Sequence, residues 1–162
     1  MVELIIKNES ADIEEQYELL VKQVKNLLNK NDNIISNLSN LCAALKQTFS
    51  KICWVGFYLY DGNKLYLGPF QGKVACTQIQ IGKGVCGTSA QKRETIIVDD
   101  VDKFPGHIVC DVESKSEIVV PVIKDGKLFG VLDIDSAEYN SFDETDKKYL
   151  EEIINFLEKE II

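Results

Sequence analysis

The chain has no cluster of lysine or arginine. Its 18 basic residues are scattered among 26 acidic ones and leave a formal charge of −8. A nucleic acid or an anionic membrane surface needs a concentrated positive face, so neither is expected as a partner. Long apolar runs are missing too. The longest, around 54–60 and 118–123, fall far short of the roughly 20 residues that cross a bilayer as a helix. The N-terminus, Met1-Val2-Glu3-Leu4-Ile5-Ile6, has no basic segment and no small-residue cleavage site, so no secretory leader is read there and a cytoplasmic protein is expected. No repeat, low-complexity tract or long linker interrupts the 162 residues, which fit one domain around one core. Histidine occurs once, as His107.

What the chain does have is thiol. Five cysteines, an odd number, cannot all pair within one chain. Without a leader they do not read as a disulfide scaffold. Cys42 and Cys53 fall in apolar periodic segments and read as buried core thiols. Cys76, Cys86 and Cys110 sit in polar or Gly-rich settings. Cys110 closes Phe104-Pro105-Gly106-His107-Ile108-Val109-Cys110, and Ser116-Glu117 and Asp133-Ile134-Asp135-Ser136 follow. Thiols and carboxylates on segments that fold together point to thiol redox chemistry on a small polar substrate.

Hydrophobic periodicity predicts an α+β domain spanning 1–162, with two N-terminal helices within about 11–49. Ile13, Tyr17, Leu20, Val21, Val24, Leu27 and Leu28 form one apolar face, with Ser10 or Asp12 as the cap. Ile34, Leu38, Leu41, Cys42, Leu45 and Phe49 form the next. Strands and loops occupy about 52–136: strands at 53–60, 64–67, 74–81, 95–98, 118–123 and 128–134, with Asp61-Gly62 and Lys124-Asp125-Gly126-Lys127 as turns. Alternation along 74–81 puts Cys76 on a face with Gln78 and Gln80. Residues 82–87 read as a Gly-rich loop before a short helix at 88–92, and 99–115 as one long loop. A C-terminal helix is predicted at about 143–161, capped by Asp143.

Blander readings stand beside the chemical one. A lone loop thiol usually has no role. A zinc site from the three central cysteines and His107 is disfavoured, since no pair has the close C-x₂₋₄-C spacing of such sites. Residues 82–87 lack the Gly-Lys-Ser/Thr ending of a phosphate-binding loop. His107 is either a base for Cys110 or a loop residue bonded to backbone, and the second is favoured because chain neighbours on an extended loop diverge.

Seven collinear pieces now bear on function. They are Trp54-Val55-Gly56-Phe57-Tyr58, Gly68-Pro69-Phe70-Gln71-Gly72-Lys73, Ala75-Cys76, Gly84-Val85-Cys86-Gly87-Thr88, Phe104-Pro105-Gly106-His107-Ile108 with Cys110-Asp111, Ser116-Glu117-Ile118-Val119-Val120-Pro121, and Gly130-Val131-Leu132-Asp133-Ile134-Asp135-Ser136. Together they resemble the free methionine-(R)-sulfoxide reductases, a family of catalytic GAF domains. Each piece is weak alone, and the N-terminal helices match only in kind. Val109 is a minor departure, where the family often has alanine.

The resemblance implies a GAF-like fold, a central six-stranded antiparallel sheet flanked by helices, and a homodimer. It implies a closed pocket under the loop of Cys110, with Cys110 as nucleophile, Cys76 as resolving thiol and Cys86 able to join the exchange. Trp54, Tyr58, Glu117, Asp133 and Asp135 would bind substrate, with Trp54 against its methyl group. No metal or organic cofactor is implied. A thioredoxin-type dithiol carrier would restore the enzyme.

The residues support these roles independently. A thiolate attacks a sulfoxide sulfur only if the departing oxygen is protonated, so thiol and acid are both needed. Asp133 and Asp135 are two apart on a strand and share a face, with Glu117 on the neighbouring strand. Carboxyls so close cannot all ionise, so a proton is retained, and the remaining negative charge suits the ammonium of a free amino acid. The rival expectation is a non-catalytic GAF sensor. Such a module usually sits beside an output domain, for which this chain has no room, and it has no need of three thiols.

Overall fold

The computed structural model describes residues 3–7 and 10–162. Met1 and Val2 of the N-terminal stretch discussed above lie outside the described residues, as do Asn8 and Glu9.

Two helices come first, α1 (Ile13–Leu27) and α2 (Ile34–Thr48). Asp12 stands at the N-cap of α1 but its side chain makes no capping bond, and the expectation of a side-chain cap there fails. Asn33 does cap α2, accepting from the Ile35 amide. Six strands follow: β1 (Trp54–Tyr60), β2 (Lys64–Gln71), β3 (Gln78–Gln80), β4 (Ile96–Val98), β5 (Ser116–Lys124) and β6 (Lys127–Ser136). They form one antiparallel sheet in the order β3-β2-β1-β6-β5-β4. α3 (Gly84–Lys92) lies between β3 and β4, and α4 (Glu144–Phe156) follows the sheet and runs into a π-helical turn at Leu157–Ile161. This is the α+β architecture expected.

Register decides which side chains share a face. On β1, β5 and β6 the residues Val55, Phe57, Ile118, Val120, Leu132 and Ile134 are fully or almost fully buried and pack with α1, α2 and α4. Their odd-even partners Trp54, Tyr58, Val119 and Val131 point to the other side and form a smaller cluster with Val85, Cys86 and Ala90 of α3. Strand alternation thus yields a large core on one side of the sheet and a thin, polar-edged layer on the other. The thin layer is where a pocket fits.

One polar knot anchors the large core. Asp146 is 2% exposed. It accepts from the Tyr17 hydroxyl and the Lys51 ammonium, each at 2.7 Å, and its second oxygen accepts the Asp143 amide at 2.9 Å. The Asp143 carboxylate in turn accepts from the Thr145 and Asp146 amides, the reciprocal cap expected at the start of α4. Burial and the adjacent Asp146 charge push the Tyr17 hydroxyl far up, so it stays a donor.

Three local expectations need correction. Only Gln78–Gln80 of the predicted strand at 74–81 pairs with β2. Cys76 lies outside it, so the face it was given does not apply. The chain leaves the sheet because residues 74–76 are drawn toward the loop of Cys110, and the Cys76 carbonyl accepts from the Tyr58 hydroxyl at 3.0 Å. Next, residues 84–87 are not loop: they form the first turn of α3. Gly87 packs there against the Gln80 carbonyl, where a Cβ would collide, so this glycine serves close helix–strand packing. Finally, β2 runs on to Gln71 rather than ending at 67, passing Gly68-Pro69 with a register shift against β1. Within the long loop, Val101–Lys103 form one 3₁₀ turn.

Candidate active site

β1 supplies the aromatic wall. Trp54 and Tyr58 project to the thin side, with ring centroids 6.0 Å apart. Trp54 also stacks on Phe70 of β2 at 5.5 Å, and its indole N–H donates to the Lys73 carbonyl at 3.0 Å. The indole needs a slot, and two glycines provide it. A Cβ on Gly56 would meet the Phe70 Cβ at 2.5 Å as well as the indole, and one on Gly72 would meet the indole Cδ1 at 2.5 Å. Gly72 also has φ +138°, open only to glycine.

β5 and β6 supply acid. Glu117 pairs with Asp135 across the ladder and Val119 with Asp133, so the three carboxyls converge from one face of adjacent strands. Glu117 and Asp133 are 6% and 7% exposed. Ser114 donates to Asp135 at 2.7 Å. Asp133 Oδ1 is buried with no hydrogen-bond partner. Burial pushes Glu117 well above the ordinary carboxyl range, and the charges of Asp133 and Asp135 add to the rise. Burial, then the Asp133 charge, does the same to Asp135, against the Ser114 hydrogen bond. Asp133 rises less, to about 6, since contacts with Cys86 and Glu117 offset part of the burial effect. The cluster therefore holds protons more tightly than free carboxyls do, and Asp133 is the member pushed up least.

α3 supplies Cys86. It is 4% exposed, and its thiol lies 3.9 Å from Glu117 Oε1. Burial first, then the negative charges of Asp133 and Glu117, push this thiol far up and keep it protonated. The sequence reads Cys86 as part of a Gly-rich loop; it sits instead on a packed helix. The Sγ of Cys86 and one oxygen each of Glu117 and Asp133 lie within 4.8 Å of one another, close enough to share a metal ion.

The two connections over the pocket supply the remaining thiols. Cys76 and Cys110 are joined as a disulfide, Cα to Cα 5.5 Å. Lys73 and Glu113 form an ion pair between the same two connections. His107 differs from the favoured expectation. No hydrogen bond from its ring to backbone occurs among the described residues. The ring lines the pocket with Nε2 3.9 Å from Glu117 Oε2. Burial lowers its pKa and favours the neutral imidazole, beside a Glu117 carboxyl that is itself pushed up.

Of the other cysteines, Cys42 is fully buried, as expected, and its thiol is pushed up to about 12 by burial. Cys53 is only half-buried, against expectation, with its thiol pushed up to about 11.

All eight residues singled out for the site except Cys76 line one cleft, and Cys76 is tied to it through Cys110. Ile108, Ser114 and Asp111 also line it. Ser114 was missed. Its only signal was its place three residues after Asp111, where an Asp-initiated turn returns the chain to the sheet.

The GAF domain family profile matches residues 36–158. The free methionine-R-sulfoxide reductase of Saccharomyces cerevisiae is 47% identical over 157 residues, covering 92% of this chain and 87% of the yeast protein. GAF domain-containing protein A of Dictyostelium discoideum is 56% identical over 146 residues, 90% of this chain and 92% of its own. In three dimensions the chain is similar to the free methionine-R-sulfoxide reductase of Neisseria meningitidis solved in complex with its substrate. The TM-score is 0.92 at 44% identity, covering 98% and 95% of the two chains.

Proposed function

We propose, for a chain that belongs to the GAF-domain family of free methionine-R-sulfoxide reductases, that it is an oxidoreductase converting free methionine-R-sulfoxide to methionine in the cleft over β1, β5 and β6. The observation that carries the reading is the meeting of a cysteine pair, an aromatic slot, two buried carboxyls and the partly buried Asp135 in one small cleft.

The steps follow from those groups. The ionised Asp133, with its unpartnered oxygen, takes the substrate ammonium. Trp54 and Tyr58 wall the S-methyl group. Cys110, once reduced, attacks the sulfoxide sulfur as thiolate, while a protonated carboxyl, Glu117 or Asp135, delivers a proton to the sulfoxide oxygen. Attack forms a bond from Sγ to the substrate sulfur. The protonated oxygen then moves to Sγ as that bond and the S–O bond to the substrate sulfur break, so methionine leaves and Cys110 is left as sulfenic acid. The Cys76 thiol then condenses with it, forming the Cys76–Cys110 disulfide and releasing water. A thioredoxin-type dithiol returns two electrons and two protons to that disulfide and is itself oxidised. Cys86, on α3 in the same cleft, is an auxiliary in this exchange. No metal or organic cofactor takes part, and the working unit is a homodimer in the cytoplasm.

The test supplies reduced protein with free methionine-R-sulfoxide and no carrier. Methionine should form at about one per active site, with loss of two thiols per chain. If the protein binds the amino acid but consumes no sulfoxide, the sensor reading replaces this one. Size-exclusion with light scattering checks the dimer.

A further inference from the structure

The reduction gives Cys86 no step of its own, although it is the thiol most intimately placed among the carboxyls. An ammonium site gains little from a sulfur neighbour, since ammonium groups are best matched by oxygen acceptors. The donor set Cys86 Sγ, Glu117 and Asp133 is instead what a thiophilic divalent ion takes.

We infer that Cys86, Glu117 and Asp133 form a binding site for Zn²⁺ or a similar borderline-soft divalent ion, and that the ion inhibits the enzyme by excluding the substrate ammonium. The inference rests on the proposed placement of that ammonium at Asp133.

The geometry argues for it in three ways. First, the donors come from α3, β5 and β6, elements that pack on one another, so the site is held by the fold rather than by one mobile loop. Their donor atoms lie within 4.8 Å of one another, and the Cys86–Glu117 separation is 3.9 Å. Around a tetrahedral zinc, with Zn–S about 2.3 Å and Zn–O about 2.1 Å, sulfur and oxygen ligands stand roughly 3.6 Å apart. Small side-chain rotations close that gap. Second, Asp133 Oδ1 is buried and without a partner, an acceptor left for a cation. Third, thiolate selects the metal: Mg²⁺ and Ca²⁺ prefer all-oxygen sites, whereas Zn²⁺ and Cd²⁺ accept sulfur. Coordination displaces the Cys86 thiol proton to solvent, so the ion enters in exchange for it.

The experiment uses the disulfide form of the full chain, in which Cys76 and Cys110 cannot bind metal. Cd²⁺ is titrated in, and its ultraviolet thiolate-to-metal charge-transfer band is followed. One equivalent should saturate the band. Cys86→Ser should abolish it, and Cys53→Ser and Cys42→Ser should keep it. Glu117→Gln should weaken binding roughly tenfold or more. Zn²⁺ should compete for the site, and Mg²⁺ at equal concentration should not. A band that survives in Cys86→Ser, or no band in the wild type, overturns the site. Circular dichroism of each variant checks folding, and methionine competition on the wild type gives an independent readout. Methionine binding, read by Trp54 fluorescence, is measured separately. If methionine fails to bind while Cd²⁺ binds through Cys86, the ammonium reading falls and the metal site stands. If both bind without competing, the proposed inhibition is wrong.

Discussion

Cys110 and Cys76 divide the proposed chemistry between attack and resolution, and serine variants separate the two. Cys110→Ser should retain fold and ligand binding but form no methionine, because a hydroxyl is a far weaker nucleophile toward sulfur. Cys76→Ser should still release about one methionine per site and then stall with carrier, since attack precedes resolution. Stoichiometric methionine from Cys110→Ser would sink the nucleophile assignment. The carboxyls give a second residue-level outcome. Glu117→Gln and Asp135→Asn keep shape but lose an acid proton, and removing one charge-assisted hydrogen bond should lower kcat/KM roughly ten- to 150-fold, about 1.5–3 kcal/mol. Acetylating the substrate nitrogen removes its charge, so wild-type enzyme should reject N-acetyl-methionine-R-sulfoxide and Asp133→Asn should discriminate less. Equal kcat/KM of the wild type for both substrates would refute the ammonium contact. These residues were legible before the fold because their chemistry is local: two aspartates two apart on a strand must share a face. His107 was not legible, because whether a loop imidazole turns toward backbone or cavity depends on where the whole loop lands.

At the scale of elements, the helices with continuous apolar faces and the hairpin at Asp125-Gly126 follow from periodicity and turn chemistry, and the structure has them. Errors gathered where tertiary contact overrides local pattern. The alternation at 74–81 looked like a strand, yet β2 offers partners only opposite 78–80. The glycines at 84 and 87 looked like loop, yet Gly87 is a packing contact of α3. Gly56 carries the same lesson inside a strand. It costs β-propensity, and its use is the space it leaves for the Trp54 ring on the pocket side. Gly56→Ala should therefore displace the indole. We expect a loss of about 1–3 kcal/mol in denaturant unfolding, typical of overpacking, together with a rise in KM. Trp54 is the only tryptophan, so its emission reports the displacement directly. Unchanged emission and KM would show that the slot is not what positions the ring.

For the whole molecule, the acidic cleft sets site against stability, and the sign can be worked out. Asp133 has its carboxyl raised from an ordinary 3.8 to about 6 in the folded chain. A raised carboxyl pKa means that the folded state binds protons the unfolded state has lost. The stability tied to that proton is intact below about pH 4 and is lost as pH climbs through about 6. Two pKa units correspond to about 3 kcal/mol, an upper figure for one group. Glu117 and Asp135 move the same way, and the Asp133 charge contributes to both shifts, so removing it relieves them as well. Asp133→Asn should thus gain stability relative to the wild type as pH rises from 4 to 7.5, whatever offset the amide introduces at pH 4. The check is a pair of urea denaturation series at the two pH values. A difference that stays flat or moves against the variant would mean that Asp133 ionises without cost, and that the cleft is wetter than its burial implies. Bound methionine should oppose the effect. Its ammonium compensates the Asp133 charge in the wild type, so saturating methionine should raise the wild-type Tm at pH 7.5 more than that of Asp133→Asn. A larger rise in the wild type would tie the strain to ligand recognition, with the charge that destabilises the empty fold at neutral pH being the one proposed to hold the amino acid.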